Sequence, residues 1–246
     1  IMIIAGGDGT LNRFANDTAG IDIPQEILYF PIGTGNDFAR EFGKHPYGDP
    51  FSITKYLKDL PTVSVKGKTY RFLNGVGFGI DGYCCEEGDR LRQLPGKKVN
   101  YTAIAIKGLL FHFAPRNAKV TVDGRESTYK KVWIAPTMHG KHYGGGMIPV
   151  PEQDRENPDK MLSVMVFHVA GRLRTLCALP GIFNGTHVKH KNMVAIHTGH
   201  EITVEFDRPT PLLIDGETVR NVTRYTARSA RYQGKSEASK AFAIKV

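Results

Sequence analysis

The chain opens on an uninterrupted apolar run, Ile1-Met2-Ile3-Ile4-Ala5, that ends in Gly6-Gly7. A run without polar alternation marks a strand covered on both faces, as in a parallel sheet. A second run over residues 27–32 ends the same way, at Gly33-Thr34-Gly35. The pattern predicts a helix after each glycine turn, over 11–17 and 36–42. About the first sixty residues therefore read as consecutive α/β units.

From about Thr62 onward the pattern changes to short alternating runs broken by turn chemistry. Lys66-Gly67-Lys68, Asp123-Gly124 and Thr198-Gly199-His200 are hairpin or turn candidates, and residues 119–122, 162–169 and 201–206 are predicted strands. A mostly apolar helical insertion is expected over 99–113. Its default role is a core helix; the sharper alternative is a wall for acyl chains. No internal repeat or low-complexity linker divides the chain. The expected organisation is an α/β domain of residues 1–62 with 233–246, and a β-rich, sandwich-like domain of residues 63–232. The tail near 238–246 would return to the first domain as a strand. A chain that begins inside a buried strand lacks edge protection, so it is expected to be N-terminally truncated.

Charge narrows the partners. The 246 residues carry 33 Lys+Arg against 24 Asp+Glu, a net charge of +9. Seven of the basic residues lie after Val219: Arg220, Arg224, Arg228, Arg231, Lys235, Lys240 and Lys245, with Glu237 the one acid among them. Such an excess suits anionic partners, either as a solvated basic face or as one turned to an anionic membrane. Nucleic acid is not expected, because no stacking aromatics or known motif accompany the charge. The three cysteines, two of them adjacent (Cys84 and Cys85), cannot form a disulfide framework and suggest a reducing, cytoplasmic setting. No signal peptide or membrane-length apolar run is evident.

The chemistry concentrates in two loops. Gly6-Gly7-Asp8-Gly9-Thr10 sits between a predicted strand and helix, where glycines admit phosphate oxygens and helix N–H groups face them. Gly33-Thr34-Gly35-Asn36-Asp37 repeats the arrangement one unit later. Adjacent loops at strand C-termini define a ligand crevice in an open α/β sheet. Each feature has a plainer reading. Asp8 and Asp37 could be helix caps, and Asp215-Gly216 a hairpin corner.

These loops, continued by Phe38-Ala39-Arg40, resemble the diacylglycerol kinase catalytic domain family, which includes bacterial soluble lipid kinases and is related to sphingosine kinases. The resemblance extends through Asn74-Gly75-Val76-Gly77-Phe78-Gly79-Ile80-Asp81, through Tyr143-Gly144-Gly145-Gly146-Met147 with Pro149 and Pro151, and to Leu213-Ile214-Asp215-Gly216-Glu217. It covers nearly the whole chain in the family's order.

The resemblance implies an NAD kinase/diacylglycerol kinase-like nucleotide domain, ATP and Mg2+ as cofactors, and transfer of the γ-phosphate to a hydroxyl of diacylglycerol or a similar lipid. It implies ATP contacts from Gly6, Gly7, Asp8, Gly9, Thr10, Leu11, Asn12, Arg13, Gly33, Thr34, Gly35, Asn36 and Asp37. Asp8 and Asp37 would bind or orient the nucleotide's magnesium. Asp215 and Glu217 would sit across the cleft, one of them accepting the lipid hydroxyl proton. A second, structural magnesium would be held by the Asp159 carboxylate with the carbonyls of Glu156 and Met161.

Two positions depart from the family. Ser64 or a neighbour replaces its usual aspartate, and Lys160 replaces the glycine of its Asp-Gly pair at the structural metal. The lipid would be met peripherally at an anionic membrane surface. A homodimer is left open, since the family includes dimers. The alternatives are an NAD kinase-like enzyme, which shares the first loop but not Gly-Thr-Gly-Asn-Asp, and a catalytically silent nucleotide- or lipid-binding protein. The histidine pairs His139/His142, His187/His190 and His197/His200 lack zinc-site spacing and read as surface or hydrogen-bonded residues.

Overall fold

The computed structural model describes residues 1–92 and 101–233. The first apolar run forms β1 (Met2–Gly6), followed by α1 (Asp8–Asp17); the second forms β2 (Ile27–Pro31), followed by α2 (Asp37–Glu41). β1 and β2 pair in parallel, and β3 (Phe51–Ser52) adds antiparallel to β2. Ile4, Leu11, Ala15, Tyr29 and Phe38 bury one core between this sheet and its helices. The sequence pattern is thus realised directly, with helix starts shifted by one to three residues.

The second sheet begins with the hairpin β4 (Thr62–Val65) and β5 (Lys68–Arg71), whose turn places Lys66 and Gly67 at φ 49° and 73°. β6 (Gly75–Gly79) leads into α3 (Ile80–Arg92), and α4 (Tyr101–Lys107) runs into a π-helical turn at Gly108–His112. Then follow β7 (Arg116–Val122), β8 (Arg125–Val132), β9 (Ile134–Met138), β10 (Leu162–Phe167), α5 (Arg172–Ala178), β11 (Val194–Gly199), β12 (Glu201–Ile214) and β13 (Glu217–Arg228). Asp123-Gly124 closes the β7–β8 hairpin, with φ 48° and 85°. Thr198-Gly199-His200 is instead a corner: β11 pairs with β10, while β12 pairs with β13, β6 and β7.

β12 folds the sheet into two layers. Ile202–Phe206 pairs with β7 and Leu212–Ile214 with β6, and the register against β13 breaks between Glu205 and Leu212. Irregularities of this kind bend a strand and let it serve both layers. Between the layers lie Val76, Phe78, Val164, Val166, Val204, Phe206, Tyr225 and Ala227. The opposite faces of β9 and β10 turn Ile134, Met165 and Phe167 toward α3, the π-turn and α5, joined by Trp133 just before β9. All six residues of β10 are buried, which is why its sequence shows no alternation. Pro136 in β9 faces Gly77 of β6, and pairing with β10 lapses between Thr137 and Ile134, as a residue without an N–H requires.

The predicted insertion is divided in the fold. Ile104, Leu109 and Phe113 join the core beneath α3, while Ile106 and Phe111 are 42% and 72% exposed. Val99, Asn100 and the C-terminal segment 234–246, including the expected return strand, lie outside the described residues.

Candidate active site

The two glycine loops are packed against each other. A Cβ on Gly33 would overlap Gly7 Cα, so Gly33 needs glycine for this approach, and one on Gly7 would lie a tight 3.1 Å from Gly33 Cα. Asn36, in the left-handed region at φ 49°, closes the second loop on itself. Its Nδ2 donates to Gly33 O (2.6 Å) and its Oδ1 accepts from Gly33 N (3.1 Å). The Leu11 side chain lies in the core, and Asn12 Nδ2 donates to Arg71 O (3.0 Å) and Asp215 Oδ2 (2.9 Å). Of the predicted nucleotide contacts, Thr10, Arg13 and Thr34 keep exposed side chains. Leu11, Asn12 and Asn36 spend theirs on the fold.

Asp8 joins the loops. Its Oδ2 accepts from Asp37 N (2.9 Å), and its Oδ1 from Phe38 N (3.0 Å) and Asn74 Nδ2 (3.2 Å). The capping role is therefore real, but the cap is for α2 rather than Asp8's own helix. Asp37 is buried, and its Oδ2 accepts from Gly145 N (2.8 Å). Gly144, Gly145 and Gly146 all have positive φ, so the triple glycine can fold its backbone over this carboxylate. Asp37 Oδ1 is buried with no hydrogen-bond partner. Burial, then the neighbouring Asp8 charge, push the Asp37 carboxyl up to about 7. A half-buried Asp8 beside a buried Asp37 with an orphaned oxygen is an arrangement that a cation would relieve.

Asp215 and Glu217 come from one tight turn with different surroundings. Asp215 and Gly216, at φ 46° and 96°, form the two-residue corner between β12 and β13. The buried Asp215 carboxylate accepts from Leu73 N (2.5 Å) and Asn12 Nδ2 on Oδ2, and from Asn74 N (2.8 Å) and Gly75 N (2.9 Å) on Oδ1. Those four donors fill its acceptor positions. Burial raises its pKa, and the four donors oppose that rise. Glu217 is exposed at the start of β13, and a Cβ on Gly9 would lie 3.0 Å from its Oε1. Its carboxylate therefore stands over the first glycine loop.

Of the donors expected for a second magnesium, the Met161 carbonyl is already engaged by the protein's own groups. Met161 O accepts the amides of Gln153 and Asn157, both at 3.2 Å. Asp159 is exposed, and the Lys160 ammonium itself donates to Arg155 O (3.2 Å) within the loop. Among the described residues no group of three or more His, Cys, Asp or Glu side chains could hold a metal.

Elsewhere, His187 bonds to Pro149 O (2.9 Å), His197 to Tyr129 (2.5 Å) and His200 to Ser229 (2.9 Å). Burial pushes the Cys84 thiol up to about 12, an unreactive setting. Ser64 faces Thr69 across the β4–β5 hairpin (3.1 Å). Arg220, Arg224 and Arg228 pair with Glu86, Glu205 and Glu201 at 2.8–3.1 Å, so the basic stretch is partly neutralised. Sequence reasoning missed Glu41 and Arg155 and assigned no role to Asn74 or Asp81. Asp81 is buried against Tyr143 (2.6 Å), and burial raises its carboxyl to about 6. An acid among the apolar and glycine positions of its motif was the available signal.

The model of the diacylglycerol kinase catalytic domain matches residues 1–65, and that of the YegS C-terminal NAD kinase beta sandwich-like domain matches residues 74–229. The chain belongs to the diacylglycerol kinase family. A diacylglycerol kinase of Mycobacterium tuberculosis (strain CDC 1551 / Oshkosh) is 29% identical over 196 residues, covering 76% of this chain and 61% of that protein. A Staphylococcus epidermidis protein with a lipid-kinase name is 30% identical over 171 residues, 64% of this chain and 52% of its own length. The chain thus spans about half to three-fifths of these relatives. The crystal structure of a diacylglycerol kinase from Bacillus anthracis str. Sterne shares the fold. Its TM-score is 0.57 at 17% identity, over 94% of this chain and 74% of that one.

Proposed function

We propose that this member of the family transfers the γ-phosphoryl group of ATP to the hydroxyl of diacylglycerol or a similar lipid alcohol. One arrangement carries the reading: two glycine loops in contact, the Asp8–Asp37 pair between them, and the Glu217 carboxylate above Gly9. Loop N–H groups and the exposed Thr10 and Thr34 hydroxyls would receive the phosphates. Asp8 and Asp37 would hold magnesium, and the orphaned Asp37 Oδ1 supports that fit. The bound ion would neutralise charge on the phosphoryl oxygens. Glu217, exposed at the cleft, would take the proton from the lipid hydroxyl. Asp215, its acceptor positions filled, would hold the floor of the site. In this reading residues 1–62 with 233–246 carry ATP, and residues 63–232 supply the base and the lipid contacts.

A long-chain lipid alcohol resides in a bilayer or micelle because its chains avoid water, and among the described residues no helix is long and apolar enough to cross a membrane. Ile106 and Phe111, with Leu173 of α5 at 73% exposure, offer an apolar surface flanked by the exposed Lys107 and Arg174. This pairing of apolar tips with basic flanks suits an anionic interface.

The test is to incubate the full-length protein with labelled ATP, magnesium and mixed micelles carrying a panel of lipid alcohols, with NAD as control. Label in one lipid is the expected result. Label in NAD would favour the NAD kinase reading, and ATP binding without transfer would favour a silent binding protein. Glu217→Gln should lower lipid phosphorylation by about a hundredfold or more, the usual share of general base catalysis. ATP affinity should be retained. Unchanged turnover would remove Glu217 as the base.

A further inference from the structure

Arg155 is a buried, heavily engaged cation outside the predicted site. It is 3% exposed and sits in the loop between β9 and β10. Its Nη2 donates to Glu41 Oε2 (2.6 Å) at the end of α2 and to Asn74 Oδ1 (3.0 Å). Its Nη1 donates to Leu73 O (3.2 Å). The guanidinium lies 4.5 Å from the Phe38 ring centroid and 5.7 Å from that of Phe42. One planar cation therefore ties α2, which follows the second glycine loop, to the Leu73-Asn74 segment before β6. Glu41 Oε2 extends the tie by accepting from Lys141 N (3.1 Å).

The consequence lies one bond further on. Arg155 holds the oxygen of the Asn74 amide, so the nitrogen of that amide is turned to Asp8 Oδ1 (3.2 Å). The other end of the Asn74 segment is fixed by Asp215, which accepts from Leu73 N, Asn74 N and Gly75 N. The loop that presents Arg155 is closed by the protein's own groups, Asn157 and Lys160, at the position where the second magnesium was expected. Gly140 is also part of the arrangement: a Cβ there would overlap Arg155 Nη2 and lie 2.8 Å from Glu41 Oε2.

We infer that Arg155 is a positioning residue, which fixes the Asn74 amide so that it donates to Asp8 and thereby sets the Asp8–Asp37 pair for its cation. The inference rests on the nucleotide reading above. Arg155 touches neither nucleotide nor lipid in this role. Lysine in its place keeps the charge and can still reach one acceptor, but lacks the planar fork that meets Glu41, Asn74 and Leu73 together.

The experiment measures ATP binding by calorimetry across a magnesium titration for the full-length wild type, Arg155→Lys, Asn74→Ala and the double variant. Thermal unfolding is recorded for each. Arg155→Lys should raise the magnesium concentration for half-maximal effect about tenfold, the scale of one lost hydrogen bond to a charged group. Magnesium-free ATP affinity should change less than twofold. Asn74→Ala should shift the magnesium curve similarly, and the double variant should add little, as expected for two members of one relay. Gly140→Ala, which disturbs the ion pair from outside the loops, should reproduce the shift. An unshifted Arg155→Lys curve, or fully additive shifts, overturns the relay. Loss of ATP affinity at every magnesium concentration, in step with a lower Tm, also overturns it, because that is the signature of general loosening. Absence of magnesium-dependent ATP binding in the wild type overturns the nucleotide reading and the relay together, and so is distinct from the first two results.

Discussion

At the scale of single residues, the site depends on a buried Asp37 held beside a half-buried Asp8. Asp37 in the fold has a carboxyl raised to about 7 from the usual 3.8, because burial and then Asp8 disfavour its charge. A raised carboxyl contributes stability that is full below its unfolded pKa, about 4, and is lost as pH rises through about 7. Without magnesium, the Tm of the wild type should therefore fall over this window more steeply than that of Asp37→Asn. Magnesium should recover the loss near pH 8 in the wild type and do little for the variant. Calorimetry in buffers of different ionisation enthalpy should detect proton release on magnesium binding to the wild type near pH 6.5. Equal pH slopes in the two proteins would show that Asp37 is not the titrating group.

Among elements, the β12–β13 corner does two jobs at once. Asp215-Gly216 is a hairpin turn by its positive φ values, and its aspartate also clamps the Leu73–Gly75 segment through three N–H groups. The plain turn and the site motif are thus the same structure. Asp215→Asn turns an acceptor into a donor that must face a buried N–H, and the mismatch should cost about 2–3 kcal/mol. Urea unfolding should register it as a lower midpoint at unchanged m. Activity should fall with stability, and partial rescue by low temperature would separate this loss from that of Glu217→Gln. A stable but inactive Asp215→Asn would return the base to Asp215.

For the whole molecule, the proposed function asks which surface would meet a lipid. The described surface offers two candidates, the basic stretch of β13 and the apolar tips of α4, the π-turn and α5. Three arginines of β13 already pair with glutamates, and such surface pairs leave little net charge to attract a bilayer. The apolar tips are unpaired in this sense: Phe111 and Leu173 are 72% and 73% exposed. Replacing both by serine should reduce binding to vesicles of anionic phospholipid by about tenfold or more, since each apolar tip contributes on the order of 1–2 kcal/mol when buried. Activity toward a short-chain, soluble lipid alcohol should be unaffected. Undiminished vesicle binding, measured by sedimentation, would move the docking surface to β13.

The sequence by itself determined the parts that are local. Apolar runs ending in glycine predicted β1 and β2, and residues that tolerate positive φ predicted the turns at Lys66-Gly67, Asp123-Gly124 and Asp215-Gly216. It also put the glycine loops, Asp8, Asp37 and Glu217 on the page, because close backbone approach and charge are properties of the residue types themselves. What it could not carry was partnership across the chain. Asp215 and Glu217 are two positions apart and equal as acids, yet one is saturated by N–H donors from residues 140 or more positions away and the other is exposed beside Gly9. Arg155 carried no signal in the sequence, and its partners appear only where α2 and the Leu73-Asn74 segment close around it. The insertion over 99–113 read as one apolar stretch, but packing alone divided core-facing Leu109 from exposed Phe111. Burial and hydrogen-bond partnership arise only when distant segments meet, so they decided which acid is clamped, which stays exposed, and which cation is buried.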